Sequence, residues 1–335
     1  MNNIHKLMGI AALALLTAGA LAAPAPASAP ESNDRQTLAQ ANAALQAGEA
    51  DKALELLAGQ AQSGPDAAKA QNIECRVRYV LGQWTTAARE CAQAVQLDPQ
   101  DSSYRMWLGR ALGEEADNAS FLSAYSLSKQ ARAEMETAVR LDPRNAEALA
   151  DLGEFYTEAP GVVGGGIDKA EGVAAQLDKV DPAQADELRG RIAAAQKDYA
   201  TAEREYKAAI AASAHPAFQW SSLASFYRHR QEWSQMEWAI RNCASAAARD
   251  RTAGVALYDG ASVLIQANRE PALAARMLGD YLASPSKTEE GPAFVAHLWL
   301  ARLKQQLGDQ TGAQQEMGEA RALAGDYKPQ KDFGA

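Results

Sequence analysis

Ala94-Val95-Gln96-Leu97-Asp98-Pro99 and Ala138-Val139-Arg140-Leu141-Asp142-Pro143 close two segments in the same way, and Leu177-Asp178-Lys179-Val180-Asp181-Pro182 is a looser third copy. Asp before Pro stops a helix, because the proline ring disfavours the α conformation in the residue that precedes it. The three stops stand 44 and 39 residues apart. Two hairpins between them are expanded, Gly109 to Ala131 by ten residues and Gly153 to Ala170 by five, relative to a spacing of 12 found elsewhere. Without those insertions both intervals become 34.

The spacing of 12 joins small residues: Ala41 to Ala53, Cys75 to Ala87, Gly190 to Ala202, Gly260 to Ala272 and Ala301 to Ala313, with Ala224 to Met236 keeping the interval. In two antiparallel helices joined by a tight turn, small side chains at facing positions let the backbones approach. Each pair then leaves an apolar face for the next to bury. Eight such units begin near Asp34, Ala68, Ser102, Ala146, Gln184, Ala217, Ala253 and Phe294.

A period of 34 is that of the tetratricopeptide repeat. Leu108-Gly109, Leu152-Gly153-Glu154-Phe155-Tyr156 and Trp220 through Leu223-Ala224 to Tyr227 resemble the family's first helix, and Asp198-Tyr199 before Ala202, Tyr206 and Ala209 resembles its second. The stretch from Gly109 to Gly166 is similar to a subgroup of exported, mostly uncharacterised bacterial members. The resemblance implies an all-α fold, a right-handed α-solenoid (superhelix) of about eight helix-turn-helix repeats over residues 34–326, whose concave groove receives a peptide or partner helix. The expanded hairpins, 113–129 and 160–166, fall in consecutive units at the same end of the helix pair and are expected to project from one edge. A tail of residues 327–335 follows.

The N-terminus reads as a secretory signal over residues 1–22: Lys6, an apolar run from Met8 to Leu16, and Ala20-Leu21-Ala22 as a small-x-small cleavage site. The run is well short of the ~20 residues a spanning helix needs. The expectation is an exported protein, periplasmic or secreted, with no membrane span after cleavage. Residues 23–33, APAPASAPESN, are Pro/Ala-rich without apolar periodicity and are expected to form an extended tether. The net charge of −9 becomes about −10 once Lys6 is removed, which argues against nucleic acid, whose phosphates are held by Lys and Arg.

Family members usually offer ligand contacts from the first helix, including the residue after the small one. Those residues here are Asn42, Arg76, Arg110, Glu154, Arg191, Ser225, Ala261 and Arg302, with Tyr79, Arg228 and His229 one turn further along. The candidate groove contacts are therefore Arg76, Tyr79, Arg110, Arg191, Arg228, His229 and Arg302. Such a row suits an acidic segment, since guanidinium forks onto carboxylate. Alternatively these arginines pair with neighbouring acids such as Glu154 or Glu187. Cys75 and Cys91 occupy facing slots of one hairpin and either bridge or pack as two buried thiols, while Cys243 replaces an inward Ala.

The Gly161 to Gly166 loop lacks the Lys-Ser/Thr that a P-loop needs and reads as structural. The histidines have no i, i+4 partner or Cys pair, so no metal or cofactor is expected. No paired-carboxylate, G-x-S-x-G or Cys/His constellation stands out. The reading is a non-catalytic protein-interaction adaptor or scaffold of the cell envelope, binding in the groove or along the insertion edge. A self-associating structural protein is the alternative, and an accessory subunit of a cell-wall enzyme a weaker one.

Overall fold

The computed structural model describes residues 30–59 and 66–327. The expected signal segment 1–22, residues 23–29 of the tether and residues 328–335 lie outside the described residues. All regular structure among the described residues is helical. Eight hairpins follow one another: α1 (Pro30–Ala47) with α2 (Ala50–Leu57), α3 (Ala67–Val80) with α4 (Trp84–Leu97), α5 (Ser102–Asp117) with α6 (Phe121–Leu141), and α7 (Ala146–Glu158) with α8 (Ile167–Leu177). Then come α9 (Pro182–Ala195) with α10 (Tyr199–Ala212), α11 (Pro216–His229) with α12 (Trp233–Ala247), α13 (Gly254–Gln266) with α14 (Pro271–Ala283), and α15 (Ala293–Gln306) with α16 (Gln310–Leu323). They are numbered here as units 1 to 8.

The Asp-Pro stops act as read, with α4 ending at Leu97, α6 at Leu141 and α8 at Leu177. Asp181 also starts the next helix, its carboxylate accepting the Gln184 N–H at 3.1 Å while Pro182 takes the first helical position, where no N–H is needed. The same tolerance lets α1 begin at Pro30, so residues 30–33 are helical rather than extended tether. The small-residue pairs are buried, Ala41, Ala53, Cys75, Ala87, Ala202, Ala224 and Met236 having no measurable exposure. A side chain at Gly109 would meet the Ala131 carbonyl at 3.3 Å and Met135 at 2.8 Å, so glycine lets this hairpin close without displacing Met135.

Unit 7 departs from the expected spacing. Ala272 is exposed, and the buried face of α14 is Leu273, Ala274, Met277, Leu278 and Tyr281. In the other tight hairpins a left-handed residue stands seven after the small one (Gly48, Gly82, Lys197, Gln231, Gly308), but here it is Asn268, eight after Gly260. A second left-handed residue, Glu270, then precedes Pro271. One residue is added to the helix and one to the turn, so Ala274 takes the place expected of Ala272.

The insertions also differ from a pair of expanded loops. The first lengthens the helices themselves, mostly α6, whose start runs about seven residues, or ~10 Å at 1.5 Å per residue, past the usual position. Its tip exposes Phe121 (87%) and Leu122 (79%). The second is a single 3-10 turn at Gly161–Val163 followed by three glycines. Gly164 (φ +103°) lies against Arg132 of α6, where a side chain would overlap the guanidinium.

The stack does not stay open. One hydrophobic core runs through units 2 to 5, and a second joins α1, α2 and part of α3 to units 5 through 8. The second core is continuous because the chain's two ends pack together. Gly48 (φ +78°) approaches α15 so closely that a Cβ would lie 2.5 Å from the Ala293 nitrogen, and the Gly325 N–H donates to the Asp51 carboxylate at 2.7 Å. Eight units thus form a closed ring around their concave face.

Candidate functional site

The concave face is one stripe of the first helices. Counting from the small residue of each unit, the positions two before, one after and five after fall on one side of a 3.6-residue helix. In units 3 and 4 these are Trp107, Arg110, Glu114 and Asp151, Glu154, Glu158, and Tyr258 is the position two before in unit 7. All seven line a cavity of about 890 Å³. Tyr79, Trp84, Phe155 and Tyr327 add rings to its wall, and Glu289 and Glu290 come from the connection between α14 and α15. That connection is tied down: Tyr281 O–H donates to the Gly291 carbonyl, the Ser286 hydroxyl donates to the Arg251 carbonyl at 2.9 Å, and Lys287 Nζ donates to the Ser284 carbonyl at 2.7 Å.

Two further cavities, of about 670 and 660 Å³, continue along units 4 to 7. The first of them is lined by Arg191, Tyr199, Tyr206, His229, Arg230 and Asp259, with Ser221, Ser222 and Ser225 on its floor. Glu158 is shared with the large cavity, and Asp259 and Arg191 with the third.

The arginines are already occupied. Arg76 forks onto Glu289 at 2.7 and 3.0 Å and donates to Asn42 at 3.1 Å; the two charged side chains are only 15% and 9% exposed. This pair spans from unit 2 to the connection before unit 8 and locks the ring. Arg110 forks onto Asp151 at 2.6 and 3.1 Å, and its guanidinium lies 4.7 Å from the centroid of Trp107, whose ring also carries Arg76 at 5.4 Å. Burial opposes the charge of Arg110, yet Asp151 and Glu147 outweigh it and raise its pKa. Arg191 pairs with Glu154 at 3.1 Å and Glu187 at 3.5 Å. The row is therefore not a free basic stripe, because each of these three side chains is neutralised within the chain.

Tyr79 lies in the wall of the large cavity, edge-on to Trp84 and Trp107, with its hydroxyl donating to Glu114 at 3.3 Å. Arg228 is half-buried outside the three cavities, with Nη2 at 2.9 Å from His229 Nε2 and no carboxylate in ion-pair range among the described residues. Burial lowers its pKa. Burial, then Arg228 and Arg191, lower that of His229. Arg302 sits at an exposed position of α15, away from all three cavities.

What the large cavity presents is negative charge: seven carboxylates (Glu114, Asp117, Asp151, Glu154, Glu158, Glu289, Glu290) line it against one guanidinium, that of Arg110. Burial pushes the pKa of Glu114, Asp151, Glu158 and Glu290 upward, with neighbouring carboxylates adding to it. Asp259, deeper along the same face, has no hydrogen-bond or ion-pair partner among the described residues. Burial, followed by Glu290 and Glu187, raises it to about 7.

Cys75 and Cys91 are joined as a disulfide across unit 2, Cα to Cα 5.1 Å, with both residues fully buried. Cys243 is buried, its Sγ 3.2 Å from the Ala256 carbonyl. His297 is half-buried and bonds Glu316 at 2.6 Å, while Trp299 stacks on Tyr258. The glycine loop uses its own N–H groups: those of Val163 and Gly165 donate to Pro160, Gly164 to Gly161 and Gly166 to Tyr156. These four are thereby spent within the loop and its flank. No metal-holding cluster of His, Cys, Asp and Glu occurs among the described residues, and no helix there is long and apolar enough to cross a membrane.

No protein-family model and no curated protein matches the chain. Among solved structures it is similar to a thermophilic TPR protein of Thermus thermophilus, at 19% identity over 58% of this chain and 98% of that one, TM-score 0.49. It is also similar to a tetratricopeptide repeat protein of Parabacteroides merdae, at 13% identity over 82% and 99%, TM-score 0.45. By its own hairpin spacing and facing small residues, the chain is a tetratricopeptide-like α-solenoid.

In this solenoid the residues that sequence reasoning missed are Trp107, Asp151 and Tyr258, two before the small residue, and Glu114 and Glu158, five after it. Extending the helical face in both directions from the position after the small residue would have found them. Glu289, Glu290 and Tyr327 carry no such signal, because ring closure alone brings them to the cavity.

Proposed function

We propose that this solenoid is a non-catalytic adaptor of the cell envelope that holds an extended segment of a partner protein in its large cavity. The observation that carries this reading is the cavity itself: about 890 Å³, within the range of specific ligand sites, walled by rings and polar groups at matched helix positions. Export rests on the apolar run from Met8 to Leu16 with its small-x-small site, and the Cys75–Cys91 bridge suits an oxidising compartment. An acidic segment is disfavoured, since it would have to displace Glu289, Asp151 and Glu154 from Arg76, Arg110 and Arg191. Self-stacking through a terminal unit is disfavoured too, because units 1 and 8 cover one another.

A second reading, docking along the insertion, is favoured by the exposed pair Phe121 and Leu122 at the tip of α6. Photo-crosslinking separates the two. A benzophenone amino acid at position 155 is expected to trap a specific envelope protein, and one at position 121 is not. Crosslinks from 121 alone would move the site to the insertion edge, and none from either position would remove the adaptor reading.

A further inference from the structure

The charge of the large cavity names its occupant. We propose that it takes a lysine- or arginine-bearing segment of a partner polypeptide, with the cationic side chain set between an aromatic wall and unpartnered carboxylates. This rests on the groove reading above.

Three observations converge. First, Asp151, Glu154 and Glu289 are paired with Arg110, Arg191 and Arg76, which leaves Glu114, Asp117, Glu158 and Glu290 in the wall without a cation. Second, among the described residues Asp117, Glu158 and Glu290 lack any hydrogen-bond or ion-pair partner, although burial raises the pKa of Glu158 and Glu290 and each would gain from a cation beside it. Asp259 extends this unpaired line deeper along the face. Third, the half-buried ring of Phe155 stands in the same wall, where the face of an aromatic attracts an ammonium or guanidinium and its edge covers the aliphatic stem, and the buried Tyr258, stacked on Trp299, adds apolar wall. An acidic peptide meets only like charge here. A neutral one leaves the clustered negative charge of the wall uncompensated.

Closure of the ring bounds the length of the segment. The cavity is walled on one side by units 2 to 4 and on the other by Tyr258, Glu290 and Tyr327, so it admits a short stretch rather than a long helix along an open groove. The net charge of −9 adds long-range attraction for a basic segment, which salt will screen.

The test is selection of a random nonapeptide display library on the immobilised full chain, in low salt and in about 0.3 M salt, where screening is strong. Peptides enriched in Lys and Arg, depleted in Asp and Glu, and bound roughly tenfold more weakly by the Glu158→Gln/Glu290→Gln variant are the expected result. Both residues are exposed at the cavity wall, so the fold is kept. Phe155→Ala, checked for unchanged helicity, is expected to weaken the same peptides. Enrichment without charge preference, still lost in Phe155→Ala, overturns the cationic assignment and leaves the groove reading standing. Acidic peptides would overturn it in favour of the arginine row. Competition by spermidine with no peptide enriched would replace the polypeptide by a small amine, and no binding of any kind would remove both readings.

Discussion

The large cavity and its neighbour use the same face of the first helices, yet they are closed by different means. The neighbour is built by consecutive units, with Arg191, Ser222, Ser225 and His229 drawn from adjoining helices and packed as any solenoid packs. The large one is completed by parts of the chain far apart in sequence, Arg76 meeting Glu289 with a separation of 213. Local stacking gives a mixed surface in which arginine, serine and histidine share the space. Ring closure instead sets Glu290, beside a Glu289 held by Arg76, against the acids of units 3 and 4, adding to the like charge that those units supply. A site of marked character is thus made at the joint.

Breaking the joint should therefore damage one cavity and spare the other. Gly48→Val forces a branched residue into a left-handed conformation 2.5 Å from the Ala293 backbone, and a loss of about 4 kcal/mol is expected in urea unfolding. Fluorescence of Trp84 and Trp107 should change while the surroundings of Arg191 hold. The double variant Cys75→Ala/Cys91→Ala removes a bridge across 16 residues, and calorimetry should show about 3 kcal/mol lost in the chain-entropy model. Arg76→Met leaves Glu289 nearly buried and unpaired. About 2 kcal/mol is expected, discounted for the guanidinium's partial contact with water, and Glu289→Met in the same chain should recover much of it.

Asp259 tests the electrostatics without touching the joint. Its folded pKa of about 7 lies above the ordinary aspartate value of about 4, so between those values the folded chain holds a proton that the unfolded chain has released. Stability contributed by that proton is present at low pH and is lost as pH rises toward 7. Asp259→Asn should raise the melting temperature at about pH 7.5 and flatten its dependence between about pH 5 and pH 7. The smallest effect is expected from Phe121→Ser: exposed at 87%, it should change stability by less than about 0.5 kcal/mol. A larger loss would mean that the insertion tip is packed in solution, against a second copy.

The repeat was legible because its signals are local. The Asp-Pro stops and the facing small residues act within one hairpin, and they placed all eight first helices within a few residues of where they begin. Unit 7 escaped because one extra residue in the helix and one in the turn leave no mark when Asn268 and Glu270, rather than glycines, take the left-handed positions. The arginine row was visible, but its partners were only half so. Glu154 and Glu187 sit at neighbouring repeat positions, whereas Glu289 lies in an irregular connection whose place is set by Tyr281 and Ser286. The ring was not legible at all, since neither Gly48 nor Ala293 differs in type from many other glycines and alanines of the chain.

A solenoid with free ends behaves as a spring, in which each interface between units turns by a small angle without regard to the others. Joining Asp51 to Gly325 and Arg76 to Glu289 makes it a hoop. Around a hoop the small rotations must sum to a fixed total, so widening at one interface has to be compensated by tightening at another. A segment that wedges apart units 3 and 4 must therefore be offset at the other interfaces of the hoop, those beside Arg191 and His229 among them, so the two cavities are mechanically coupled.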